Sequence, residues 1–167
     1  MKTQYLFILL LLTLSACGFQ LRGTQQNGSS GLDVAKVYVS NTGAGTIAVQ
    51  VKSQLRASGS TVVSSMSDAI YILNLSREAY EQNVLSVSAQ TGKVEEFQLT
   101  LSIYMTVLDS GGKELILGEQ IQVVRDYTFD ENAVLGKFAE EQFLREELTN
   151  QAATEVLLRL NAAVNDS

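Results

Sequence analysis

Residues 97–107 read FQLTLSIYMTV, and apolar and polar side chains alternate through the whole stretch. A strict period of two is typical of a β-strand that has one buried face and one polar face. Strands of this kind belong to antiparallel sheets that other elements cover on one side only. This stretch decides the fold, because the apolar segments around it must pack against the same side of one sheet.

Two further strands flank this one, and each is joined to it by a turn that contains glycine. Residues 70–88 precede it and end at the turn QTGK, residues 90–93. Residues 115–129 follow it after the turn SGGK, residues 110–113. Glycine supplies the positive φ that tight hairpin turns require, so the pattern predicts three consecutive antiparallel strands.

Helical periodicity appears on both sides of these three strands. Ile47, Val51 and Leu55 recur at four-residue spacing before Gly59, which predicts a helix of about three turns that ends at the glycine. Residues 132–164 predict one long helix or a broken pair of helices, with an apolar ladder formed by Leu144, Leu148, Ala152, Val156 and Leu160.

The predicted order is strand, helix, three strands, helix, because a short strand at residues 35–40 precedes the first helix. We predict an α+β two-layer sandwich, with two helices packed on one face of a four-stranded mixed sheet. The first strand is expected to join the sheet in parallel after the helix crossover. Residues 61–63 are interpreted only as an extended connection.

The N-terminus has the pattern of a secretory signal. Lys2 precedes an apolar segment at residues 5–14, which is too short to span a bilayer permanently. LSAC, residues 14–17, resembles the bacterial lipobox, in which the cysteine is lipidated after cleavage. The alternative is an ordinary signal with an incidental cysteine. Gly18 rather than aspartate after Cys17 indicates the outer membrane rather than retention at the inner membrane.

This signal predicts three segments along the chain. Residues 1–16 are expected to be a cleaved lipoprotein signal peptide, and residues 17–32 a lipidated N-terminus and flexible tether. Residues 33–167 are expected to form a single domain, since their length suits one hydrophobic core.

Composition argues against several classes of function. The formal net charge of −6 does not suit a nucleic-acid-binding protein. The chain has no histidine, and its one cysteine is assigned to lipidation, so the usual general base and a thiol nucleophile are missing. No Gly-x-Ser-x-Gly elbow occurs. We predict no catalytic residue, no metal site and no cofactor, and therefore no enzyme.

Several short segments match the sequence pattern of one known family in order and spacing. They are CGFQLRG at 17–23, QLRASG at 54–59, EFQL at 96–99, FDEN at 129–132, LGK at 135–137, EE at 140–141 and LRL at 158–160. Together they resemble the LptE (RlpB) family of LPS-assembly lipoproteins. The resemblance covers essentially all of the chain after residue 16, although the proline expected before the first helix is absent and Glu131 stands where the family often has asparagine.

The resemblance implies an outer-membrane lipoprotein on the periplasmic side that sits as a plug within the lumen of the β-barrel LptD. Such a protein assists assembly of the barrel and helps deliver lipopolysaccharide to the outer leaflet. A barrel interior is polar, so a polar strand face suits this role; the alternative for that face is plain solvent exposure. The partner-facing candidates are Arg77, Gln98, Thr100, Ser102, Gln120, Gln122 and Arg125.

The resemblance also implies basic residues that bind the phosphates of lipopolysaccharide. Lys137 occupies the matching position before the C-terminal helix. At the basic position of the central hairpin turn this chain has Gln90, and Lys93 is the expected substitute. The alternative for both lysines is ordinary solvated surface.

The sequence allows more than one role for each of two arginines. Arg125 falls on the apolar parity of its strand, which indicates either a β-bulge near residues 123–124 or an ion pair with Glu119 or Asp126, with ligand binding as the alternative. Arg77, next to Glu78, is expected to be a paired strand residue, with contact to the barrel as the alternative.

A second function belongs to another class. The chain would then be an accessory lipoprotein of a periplasm-spanning lipid or solute transporter, which binds protein partners but not lipopolysaccharide. An anchored hydrolase is the third and weakest alternative, since histidine is missing.

Overall fold

The computed structural model describes residues 35–128 and 134–167, except for the side chains of residues 134–138. The predicted signal peptide, the lipidation site Cys17 and the tether lie outside the described residues. A 3₁₀ turn at Met66–Asp68 separates the second strand from the third. The elements are β1 (Lys36–Thr42), α1 (Gly45–Ala57), β2 (Thr61–Val63), β3 (Tyr71–Val87), β4 (Val94–Asp109), β5 (Glu114–Thr128) and α2 (Val134–Asn165).

The five strands form one mixed sheet in the order β2-β1-β3-β4-β5. β1 runs parallel to both β2 and β3, whereas β3, β4 and β5 are antiparallel neighbours. The α+β class and the parallel first strand are confirmed. The prediction of four strands is wrong, because Thr61–Val63 pairs with the start of β1 as a fifth, edge strand. Three residues are too few to show a period of two.

Both helices pack on one side of the sheet and on each other. The amide of Gln54 in α1 donates a hydrogen bond to the backbone carbonyl of Asn150 in α2, at 3.3 Å. The predicted C-terminal helix is a single helix. The buried residues that face the sheet include Ile47, Val51 and Leu55 from α1 and Leu148, Ala152, Val156 and Leu160 from α2.

The alternation in β4 matches the two sides of the sheet. Its fully buried positions point toward the helices and are Leu99, Leu101, Ile103, Met105 and Val107. The polar positions between them therefore point to the opposite side.

The end of α1 follows the predicted glycine stop. Gly59 has φ 93°, a backbone conformation that suits a residue without a Cβ. The backbone N–H of Ser60 donates to the carbonyl of Leu55 at 3.0 Å, and that of Gly59 donates to Arg56 at 3.2 Å. These two bonds satisfy carbonyls that a helix end otherwise leaves unpaired.

Replacing Ile103 by alanine tests the role of β4 in the core. Ile103 is fully buried and faces Ile121 of β5, so Ile103→Ala should lower the free energy of unfolding by about 2–5 kcal/mol. Ser102→Ala, on the other side of the same strand, is the matched control and should change it by less than about 0.5 kcal/mol. Urea denaturation of both variants measures the difference, and equal losses would contradict the assignment of the two faces.

Candidate functional site: the outer face of the sheet

The side of the sheet opposite the helices carries no other described element, and its central part consists of neutral polar residues and one tyrosine. Cross-strand pairing brings Ser102 next to Gln122, and Tyr104 between Ser76 and Gln120. The predicted Ser102, Gln120 and Gln122 are therefore neighbours. We call this surface the outer face and define it by Asn74, Ser76, Ser102, Tyr104, Thr106, Gln120 and Gln122.

Two other predicted residues lie on the same side, nearer the β3–β4 turn, and are already engaged. The side-chain amide of Gln98 donates to the Asp126 carboxylate at 2.9 Å. Thr100 is only 7% exposed and lies between Glu81 and Val124 of the neighbouring strands. Little of Thr100 is therefore available for contact with a partner.

Arg77 occupies a β-bulge in the middle of β3. Ser76 pairs with Tyr104 and Ala79 pairs with Ser102, so two residues of β3 stand opposite one residue of β4. Arg77 has φ 56° and is the one residue other than glycine with positive φ in the described part of the chain. Its guanidinium carbon lies 4.9 Å from the centre of the Tyr104 ring, a cation–π contact.

The bulge turns the next residue, Glu78, toward the helices. Its carboxylate accepts the backbone N–H of Ile47 at 3.3 Å, while its own N–H donates to the carbonyl of Gly43 at 2.9 Å. A carboxylate at this position is favourable because the first N–H groups of a helix lack partners. The expectation that Arg77 is a paired strand residue is wrong, since no carboxylate of the described residues forms an ion pair with it.

Arg125 lies on the helix side of the sheet, not on the outer face. Its Nε and Nη2 atoms both donate to one carboxylate oxygen of Glu147 in α2, at 3.1 and 3.0 Å. β4 and β5 stay in regular register around this position, so the first alternative, a β-bulge near residues 123–124, is wrong. An ion pair is correct in kind, but its partner is neither Glu119 nor Asp126, because α2 passes over this part of β5.

Two arginines of α2 also form ion pairs with glutamates. Arg159 forms an ion pair with Glu119 of β5, and Arg145 forms one with Glu141 at 2.9 Å. Together with Arg125, these pairs place three guanidinium groups on carboxylates. Arg77 differs from all three because it contacts an aromatic ring and forms no ion pair with a carboxylate of the described residues.

The two predicted lipopolysaccharide-binding lysines occupy different elements. Lys93 closes the β3–β4 turn, where its backbone carbonyl accepts the N–H of Ser88 at 2.7 Å. The strand before this turn exposes about half of the side chains of Val84, Leu85 and Val87. Lys137 belongs to the first turn of α2, and its side chain lies outside the described residues.

A groove of about 580 Å³ opens between the first half of α1 and α2, with Tyr80 among its lining residues. Thr149 donates its hydroxyl proton to the carbonyl of Arg145 at 2.8 Å, so the Tyr80 hydroxyl must donate to Thr149, at 2.7 Å. The Arg145 guanidinium lies 4.8 Å above the Tyr80 ring. Burial raises the pKa of Tyr80, so the phenol stays a neutral donor at physiological pH. These groups satisfy one another and fix α2 to β3.

Sequence patterns missed Tyr104 as a site residue and Tyr80 as a contact between layers. Tyr104 lies on the polar parity of β4, and that position was the available signal. In the described residues, no three acidic, histidine or cysteine side chains form a group suited to a metal ion. No helix in residues 35–128 or 134–167 combines the length and apolar character needed to cross a bilayer.

A family model described as "LptE: Lipopolysaccharide-assembly" matches residues 34–160. The LPS-assembly lipoprotein LptE of Photorhabdus laumondii is 30% identical over 155 residues, covering 91% of this chain and 81% of that protein. The protein of the same name from Yersinia pestis is 30% identical over 154 residues, covering 91% of this chain and 72% of that protein.

Solved structures show the same fold. The rare lipoprotein B of Shewanella oneidensis superposes with a TM-score of 0.69 at 24% identity, covering 78% of this chain and 97% of that one. Lipoprotein B of Nitrosomonas europaea gives a TM-score of 0.69 at 26% identity, covering 87% of this chain and 91% of that one. The chain belongs to the LptE family of lipopolysaccharide-assembly lipoproteins.

Proposed function

We propose that this chain is anchored to the outer membrane through Cys17, on the periplasmic side, and plugs the lumen of an LptD-like β-barrel. In this role it assists assembly of the barrel and helps deliver lipopolysaccharide to the outer leaflet. Family membership supports the link to lipopolysaccharide assembly. The main structural support for the plug role is the outer face. It is a broad polar surface on a domain whose apolar residues pack on the other side of the sheet.

The chemistry of the outer face suits the interior of a barrel. Ser102, Gln120 and Gln122 offer hydroxyl and amide groups, which both donate and accept hydrogen bonds. The lumen wall of a membrane barrel is polar, so it presents complementary groups. Neutral groups are also less costly to desolvate than charges when two surfaces meet.

Lys93 and Lys137 are proposed to bind the phosphates of lipopolysaccharide. Lys93 lies at the tip of the β3–β4 hairpin beside exposed aliphatic side chains, a combination that suits a ligand with both phosphates and acyl chains. Lysine binds phosphate as a point charge and therefore tolerates some variation in position.

Crosslinking from the outer face tests the plug. A photoreactive residue placed at Ser102 or Gln122 in the full-length lipoprotein should form an adduct with the LptD-like barrel of the same bacterium, identified by mass spectrometry. Ser53, exposed on α1, is the comparison position on the helix side. Adducts from Ser53 with none from Ser102 and Gln122 would contradict contact through the outer face. Adducts with components of a periplasm-spanning transporter would support the alternative function.

Charge reversal tests the two lysines. The double variant Lys93→Glu, Lys137→Glu should bind immobilised lipopolysaccharide at least about tenfold more weakly than the wild-type chain, since each lysine loses a charged hydrogen bond to phosphate. Its melting temperature and its recovery with the barrel should stay unchanged. Lys113→Glu, in the turn at the opposite end of β4, is the matched control and should bind normally. Equal binding by the double variant would remove both lysines from the site.

A further inference from the structure

We infer that Arg77 and Tyr104 form a carboxylate-binding site at the centre of the outer face, and that its ligand is an aspartate or glutamate side chain of the protein partner. This inference rests on the proposed function, because it names the chemistry by which the outer face holds the barrel. Three features support it: the backbone conformation at residue 77, a guanidinium without an ion-pair partner among the described residues, and the neutral side chains around it.

The backbone at residue 77 does not require arginine. Its φ of 56° is a conformation in which a side chain is disfavoured, and glycine would adopt it without cost. The bulge serves the fold by directing Glu78 to the start of α1, and a glycine at position 77 would do the same. The long cationic side chain therefore serves something other than the bulge.

Tyr104 holds the guanidinium in place, but no carboxylate of the described residues forms an ion pair with it. Tyr104 covers one face of it, at 4.9 Å, and Tyr104 itself is fixed between Ser76 and Gln120 in the sheet. Among the side chains of residues 35–128 and 139–167, none forms an ion pair or a hydrogen bond with the guanidinium. Stacking leaves the N–H groups at the edge of the guanidinium directed away from the ring, in the forked geometry that matches two oxygen atoms.

The surroundings favour a carboxylate over a phosphate. The nearest outer-face residues, Ser76, Ser102 and Gln120, are neutral, so Arg77 is the single cation at this point. A phosphate monoester carries about −1.5 to −2 charges at neutral pH and would remain under-compensated there. One carboxylate is matched by one guanidinium. Neutral hydrogen-bonding neighbours on a broad sheet suit a protein wall that presents such a carboxylate.

The test uses the detergent-extracted complex of the full-length lipoprotein with its LptD-like barrel. The barrel is immobilised, and the release of lipoprotein is followed with time. Arg77→Asn should dissociate at least about thirty-fold faster than wild type, because it leaves a partner carboxylate without its cation. Asparagine tolerates positive φ, so the melting temperature of the variant should stay close to that of wild type. Arg77→Lys keeps the charge but not the planar fork and should fall between the two.

Arg56→Asn is the matched control, since Arg56 is exposed in the last turn of α1, away from the outer face. It should dissociate at the wild-type rate. Binding of each variant to immobilised lipopolysaccharide is measured in parallel, and Arg77→Asn should bind as wild type does.

The outcomes separate this inference from the proposed function. Unchanged release of Arg77→Asn from a stable wild-type complex would overturn the Arg77 site alone. Loss of lipopolysaccharide binding with unchanged release would show that the ligand is a lipid phosphate, and would also overturn it. Failure of the wild-type chain to form the complex would overturn the proposed function and the site together.

Discussion

The whole structure depends on the alternation in β4, because this interior strand lies between two different surroundings, an apolar core on one side and an uncovered surface on the other. Its apolar positions, such as Leu101 and Ile103, are buried on the side of the sheet that the helices cover. Its polar positions, such as Ser102, must then lie on the uncovered side. A sheet with helices on one side only has a second broad surface by construction, and the composition of that surface decides what the molecule can bind.

The bulge at residues 77 and 78 links the two sides of the sheet. In a regular strand these two side chains would continue the alternation without a break. The extra residue instead lets Glu78 reach the start of α1 while Arg77 stacks on Tyr104 of the outer face. One local irregularity thus supports a helix on one side and positions a cation on the other. Bulges commonly redirect side chains in this way next to functional surfaces.

Periodicity predicted the elements that are long enough to show it. The three hairpin-connected strands and the helix that ends before Gly59 all repeat a pattern over several residues, and each is present. The strand Thr61–Val63 was missed because three residues cannot establish a period, and its pairing depends on where α1 returns the chain to β1. The sheet therefore has one more strand than periodicity alone could reveal.

The contacts of the site were less predictable than the strands that carry it. Arg125 pairs with Glu147 because α2 passes across β5. The spacing of residues along the strand does not indicate that path. The positive φ of Arg77 has no local signal either, because arginine is not a residue that favours it. What the pattern did predict was the side of the sheet on which Ser102, Gln120 and Gln122 lie, since alternation alone determines it.

The distribution of charge explains how an acidic chain can present a neutral outer face. Its formal net charge is −6, yet Glu119 and Glu147 are bound by arginines on the helix side of the sheet. The outer face is left with amides and hydroxyls, which adapt to donors and acceptors alike but give little orientation. A single fixed cation supplies the direction that such a surface lacks, because charge complementarity sets register more than it adds affinity. For the plug that we propose, which would enter a polar lumen in one orientation, a neutral face with one cation at its centre meets both requirements.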